Sequence, residues 1–281
     1  MGKSEHCVIN GAVKMRSEQK RVVIVGSGNV ATSVALGLRE ECELVQVYSR
    51  HIENAQALAS KVGCGDATDD LRRLVADADV YVVSVTDDAI GEVVASVPDN
   101  GALWLHTSGS VPVSALAGAR QRCGVMWPMQ SFSKSMPVSM ANVHVFVEGN
   151  NEATTAQVVE FAGMLSRNVT VADSAKRKRL HVASVFACNF ANHMWTLAAE
   201  VLDESGLSFD ALLPLIRTTV EKLEHLRPLE SQTGPAARGD EKVMRGHMEL
   251  LTGDKREIYA MLSRSIRESQ RKIEDNGKNR V

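Results

Sequence analysis

Aromatic residues make up only 4% of this 281-residue chain. That is too few for a base-stacking nucleic-acid platform, and it suits an Ala/Val/Leu-packed α/β protein with a helical partner better than a β-sandwich. An excess of charge of one sign is also missing. The formal net charge is −2, which supplies no field for nucleic acid or a membrane surface. No apolar run approaches the ~18 residues of a bilayer span, and Met1 to Lys20 is polar rather than a signal peptide, as expected of a flexible leader in which Met15 offers an alternative start. The five cysteines, Cys7, Cys42, Cys64, Cys123 and Cys188, contain no Cys-x-x-Cys pair. This argues against a zinc knuckle or a redox pair and fits reduced thiols in a cytoplasmic protein. No metal site is expected.

What is present is a large apolar fraction, 44%, enough for one large or two moderate domains. Val22 to Ala31 reads Val-Val-Ile-Val-Gly-Ser-Gly-Asn-Val-Ala and runs on into a helix-forming stretch. Gly26 permits a tight turn off a buried strand, Gly28 lets the backbone approach a pyrophosphate, and Ala31 allows close helix–strand packing. Ser27, Asn29 and Val30 belong to the same cradle. The next strand, Leu44 to Tyr48, lacks the terminal Asp or Glu with which a NAD site accepts from the ribose 2′-hydroxyl. It ends instead in Ser49, Arg50 and His51. The Arg50 guanidinium offers a planar fork for a 2′-phosphate and Ser49 a further donor, so NADP is the expected cofactor.

Strand and helix signals alternate from Arg21 to Ala172, predicting a doubly wound, parallel-type Rossmann sheet. Beyond Asp173 the strand signals stop. Helical patterns run over Ala175 to Ser205, Phe209 to Leu226, Gly239 to Leu251 and Asp254 to Ser269, broken at Pro228, Gly234-Pro235 and Gly253. The expected domains are therefore a leader (1–20), a NADP-binding domain (21–172), an all-helical dimerisation domain (173–270) and a tail (271–281), frayed from Asn276.

Ligands of open α/β sheets bind beyond the carboxyl ends of the strands. Ser84 and Thr86 follow one such strand, with Asp87 or Asp88 expected to cap the next helix. His106, Thr107 and Ser108 end another. Thr107, Ser84 and Thr86 are candidate cofactor contacts, and Ser108 is a candidate on the substrate side. His106 is a candidate acid/base, because histidine exchanges protons near neutral pH. In Trp127 to Lys134, Gln130 is a candidate substrate contact beside an apolar wall. Lys176-Arg177-Lys178-Arg179 reads as a solvated face. His181, Ser184, Cys188 and Asn192 recur at helical spacing, so His181 competes as proton donor and Asn192 as substrate contact, against the reading that the stripe makes buried helix–helix hydrogen bonds. Arg238 is a candidate clamp for a carboxylate.

The string Gly-Ser-Gly-Asn-Val-Ala, the Tyr48-Ser49-Arg50 strand end, His106 to Ser110, Leu180 to Ala183 with Cys188 to Phe190 and Asn192-His193, and Thr233 to Pro235 with Arg238 to Asp240 together resemble an uncharacterised two-domain oxidoreductase family. Its members join a Rossmann-like domain to a helical domain of unknown function, and the resemblance spans Arg21 to Ile266. The family is similar to pyrroline-5-carboxylate reductase and, more distantly, to 6-phosphogluconate and β-hydroxyacid dehydrogenases. The resemblance implies a NADP-linked enzyme whose helical domain dimerises and completes an interdomain cleft. The dehydrogenase lysine, four residues before an asparagine, has Val185 and Cys188 in its place before Asn189 and Asn192. The resemblance therefore implies reduction of a small imine or carbonyl compound rather than hydroxyacid oxidation. The alternative is a NADP(H)-binding sensor without chemistry.

Overall fold

The computed structural model describes residues 19–136 and 138–278. The expectations for Met1 to Glu18, including Met15, lie outside them. In chain order, β1 (Arg21–Val25), α1 (Asn29–Leu38), β2 (Glu43–Tyr48), α2 (Ile52–Val62), β3 (Ala67–Thr68), β4 (Val80–Val83), α3 (Ala89–Ser96), β5 (Leu103–His106), α4 (Ser114–Ala117), β6 (Cys123–Pro128), β7 (His144–Gly149), α5 (Glu152–Leu165) and β8 (Asn168–Val171) build one sheet and its covering helices. The strands lie in the order β3-β2-β1-β4-β5-β6-β7-β8. The order reverses between β1 and β4, where the chain crosses from one side of β1 to the other.

The central strands are buried on both faces, so they are apolar throughout, and their period of two shows only in which core each residue enters. Ile24, Val82 and Leu105 join the core under α1, α2 and α5. Val23, Tyr81 and Trp104 join the core under α3 and α4. Helix α1 docks because Ala31, Val34, Ala35 and Leu38 are buried at spacings of three and four, a single apolar stripe. One departure from the expected parallel sheet is local: β6 and β7 pair antiparallel. Among its described residues the 129–143 link holds a short 3₁₀ turn, Met140–Asn142, and no α-helix to make a crossover, and the chain reverses direction. The two-residue β3 carries no strand-like pattern of its own and forms only because β2 offers its edge.

After β8 the chain is helical: α6 (Ser174–Ser184), a π-helical segment (Val185–Phe190), α7 (Ala191–Asp203), α8 (Leu213–Glu221), α9 (Pro235–Arg238), α10 (Glu241–Leu250) and α11 (Gly253–Lys278). Helix α11 continues into the stretch expected to be tail, as far as Lys278. The two compact units divide between Cys188 and Asn189, so α6 packs with the sheet although strand structure ends at Val171. Among the described residues, no helix is long and apolar enough to cross a membrane, and no cluster of residues could hold a metal ion.

In the second unit only Ala236 and Met244 are buried hydrophobics among the described residues. Leu207, Leu215, Val220, Leu223, Leu250 and Met261 are each half exposed or more.

Candidate active site

A pocket of about 470 Å³ opens at the carboxyl ends of β1, β2, β4 and β5. Gly26, Ser27, Gly28, Asn29, Val30, Ser49, Arg50, Ser84, Thr86 and Thr107 all line it, as does Ser108. Asp87, named with Ser84 and Thr86 at the end of β4, lines it as well, while sequence reasoning missed Tyr48, Leu71, Val85, Ala89, Glu92 and Val93, which complete the wall. The spacing of four from Val85 through Ala89 to Val93 was the available signal, one face of the turn into α3.

The floor is made by a close approach of backbones. Gly26 has φ +127°, and a Cβ there would stand 2.1 Å from the Ser84 carbonyl oxygen, so no side chain fits. A Cβ on Gly28 would meet nothing within 4 Å, which leaves that backbone open to a ligand. Gly28 also caps α1 without a side-chain bond, and the first turn holds no acid. Its amides thus face an anion without competition.

At the β2 side, the Ser27 and Ser49 hydroxyls pair at 2.8 Å, and the Ser49 N–H donates to the Thr68 carbonyl. Arg50 stands exposed beside them. Asp70, two residues beyond β3, is taken up by Arg72, whose Nε and Nη2 donate at 3.0 and 2.9 Å. That hydrogen bond holds the Asp70 carboxyl below its usual range. The surroundings therefore fit a 2′-phosphate, with hydroxyl donors, an exposed guanidinium and a neutralised acid.

At the β5 side, Thr107 Oγ1 donates to Ser84 Oγ at 3.0 Å inside the wall. Neither Asp87 nor Asp88 caps α3 as expected. Asp88 occupies the cap position without a side-chain bond, and the Asp87 carboxylate instead accepts from Ser110 Oγ, closing the lip of the pocket.

The candidate acid His106 is corrected. Its side chain is 0% exposed and turns under the loop after β5, where Nδ1 accepts the Ser108 N–H at 3.2 Å. The neutral ring therefore carries its proton on Nε2. Burial, then the nearby Arg177 cation, pushes its pKa down from 6.5 to about 4. His106 braces the loop and is shut off from the pocket.

His181 is half-buried on α6, its ring edge-on to Trp127 at 5.8 Å between centroids. The Trp127 indole presses on Gly109, where a Cβ would come within 2.6 Å of it. Trp127 thus links His181 to the loop that carries Ser108. Gln130 is corrected too: it is exposed, is not among the pocket residues, and spends Oε1 on the Ser131 N–H. Ser184 donates to the His181 carbonyl, whereas Cys188 and Asn192 are exposed. The π-helical turn between them breaks the expected common face, because each residue there advances by less than the α-helical angle. Arg238 is exposed on α9 of the second unit. The basic run is not uniformly solvated: Lys176, Lys178 and Arg179 are exposed, but Arg177 is 0% exposed.

Residues 21–108 match the family described as NADP oxidoreductase coenzyme F420-dependent. Residues 143–266 match the Domain of unknown function (DUF2520). A "putative NADP oxidoreductase" from Bacteroides fragilis is 41% identical, with a TM-score of 0.84 over 89% of this chain and 99% of that one. A reductive aminase from Aspergillus terreus, solved with NADPH and ethyl-5-oxohexanoate, is 15% identical, with a TM-score of 0.68 over 90% of this chain and 96% of that one. An imine reductase from Pseudomonas sp. is 18% identical, with a TM-score of 0.60 over 88% and 93%. Among functionally curated proteins, none matches the chain.

The brace at His106 has a pH signature. Between about 4 and 6.5 the unfolded chain binds a proton that the folded protein refuses. The stability present at neutral pH is therefore lost as pH falls through that window, by on the order of 3 kcal/mol in total. Urea denaturation should show this loss between pH 7 and pH 4.5. The His106→Asn variant, whose amide oxygen can still accept the Ser108 N–H, should lose clearly less; parallel acid limbs would refute the assignment.

Proposed function

Because the chain belongs to the family of NADP oxidoreductases that join a dinucleotide-binding domain to a DUF2520 helical domain, we propose that it reduces a small imine or carbonyl compound beside the β5 end of the pocket. Bound NADPH supplies the hydride, and the residues of the chain hold the cofactor and handle the proton. The observation that carries this reading is the cradle itself. Gly26 is pressed on Ser84, the first turn of α1 is open, and Ser27, Ser49 and Arg50 replace the acid that a NAD site needs. Ser84 and Thr107 fix the wall on the far side of β4.

His181 is the proton donor in this proposal. Of the two candidate histidines it alone is partly exposed, and Trp127 holds its ring at the edge of the loop bearing Ser108. The solved imine reductase and reductive aminase share the fold, which supports a reaction at a C=N or C=O bond. Screening imines and carbonyl compounds for NADPH oxidation tests the class. A NADP(H)-binding sensor remains the second reading, favoured if NADPH binds tightly and no compound is turned over.

A homodimer through the helical unit belongs to the same proposal. Among the described residues that unit buries two hydrophobic residues and leaves Leu215 and Val220 of α8, Leu250 of α10 and Met261 of α11 more than half exposed, apolar surface of the kind that marks an association site. An isologous partner would cover them.

Three outcomes are expected. In a fluorescence titration, Arg50→Asp weakens NADPH at least tenfold and leaves NADH almost unchanged; equal loss for both would refute the 2′-phosphate site. With a turned-over substrate in hand, His181→Ala lowers kcat by about a hundredfold with NADPH affinity near wild type. Full turnover in that variant would remove His181 from the mechanism. Light scattering at micromolar concentration gives twice the monomer mass, and a monomer would count against the helical interface.

A further inference from the structure

Arg177 is the one member of the 176–179 basic run without solvent contact, and its guanidinium joins three parts of the sheet unit. Nη2 donates to Glu148 Oε2 on β7 at 2.6 Å and to Ser174 Oγ at 3.1 Å. Nη1 donates to the carbonyls of Ser108 and Val111, at 3.2 and 3.1 Å. Ser174 Oγ in turn donates to Glu148 at 2.7 Å and accepts the Val113 N–H at 3.3 Å. Burying a guanidinium costs several kcal/mol unless its charge and donors are met. Well-packed apolar side chains would serve stability as well, so what this ion pair adds is direction. A planar fork fixes two carbonyls of one loop at set angles, which an ammonium or a methyl group cannot do.

The loop so fixed carries the wall of the pocket opposite Arg50. Arg50 follows β2 and Thr107 follows β5, with β1 and β4 between them. Three strand spacings of ~4.8 Å make ~14 Å, the scale of an extended dinucleotide. With the 2′-phosphate at Arg50 and the pyrophosphate at Gly28, the nicotinamide half reaches Thr107 and Ser108.

We propose that Arg177, paired with Glu148, is a positioning residue that sets the nicotinamide-side wall by holding the Ser108 and Val111 carbonyls. It touches neither substrate nor cofactor and acts through the loop. This rests on the cofactor placement proposed above.

The test compares two ligands on the full-length protein. NADPH spans the whole pocket, whereas adenosine 2′,5′-bisphosphate reaches only the Arg50 half. In Arg177→Lys, NADPH binding should weaken about tenfold, with altered fluorescence of the bound nicotinamide, while adenosine 2′,5′-bisphosphate stays within about twofold of wild type. A merely structural role would move both ligands together or neither, and either result overturns the proposal. If Arg177→Lys shows no cooperative thermal transition, Ser174→Ala is read instead. It keeps the Arg177–Glu148 pair and removes the hydroxyl that ties Val113 to it, and NADPH alone should weaken, by about threefold. Wild-type protein that binds neither ligand would overturn the cofactor placement and the positioning role with it. Wild type binding both, with variants indistinguishable from it, would overturn the positioning role alone.

Discussion

Gly26 and the Ser84 carbonyl oxygen face one another across neighbouring parallel strands so closely that a Cβ on residue 26 would lie 2.1 Å from that oxygen. The Gly26 N–H donates to the Tyr48 carbonyl, and the Ser84 N–H donates to that of Val25. The carboxyl ends of β2, β1 and β4 are thereby tied together at the point where strand order reverses. Because α1 leaves the sheet on one side there and α3 on the other, the tied ends are left uncovered. A polar, backbone-lined trough results, and every proposed cofactor contact takes its place from it.

On the β5 side of this trough, charge is used for placement. His106 sits beneath the loop as a neutral ring, kept so by burial and by Arg177, while Arg177 is held by Glu148 and in turn holds the Ser108 carbonyl. A histidine at a strand end that looks like chemistry in a linear reading, and an arginine in a run that reads as a solvated face, are both structural supports in the folded chain. Proton exchange with a substrate needs access, and burial denies it to His106. His181, farther along the chain, keeps partial exposure beside Trp127.

The helical unit shows the opposite economy. Its helices are amphipathic, yet among the described residues only Ala236 and Met244 are buried hydrophobics. Lys255 bridges Glu200 and Glu204 at 3.3 and 2.9 Å, a surface tie between α7 and α11 that contributes modestly in water. Packing within this unit leaves apolar side chains such as Leu215 and Leu250 uncovered, which is the physical ground for the proposed homodimer.

The strand-to-glycine-turn pattern, the missing acid after Tyr48 and the alternation of strand and helix to Val171 were legible in the sequence because they depend on local physics: period, turn geometry and a dinucleotide cradle built from consecutive residues. The change to helices after Asp173 was legible for the same reason. Tertiary structure alone decided which polar groups are reachable. The exposed Lys176 and buried Arg177 are neighbours in one run, and Gln130 is exposed and not among the residues lining the pocket, to which Leu71 and Glu92 do contribute. The π-helical turn that breaks the His181-to-Asn192 face and the reversal into β7 likewise escape periodicity. Whether a side chain meets water, a carbonyl or a partner charge depends on segments distant in the chain, and no local pattern records them.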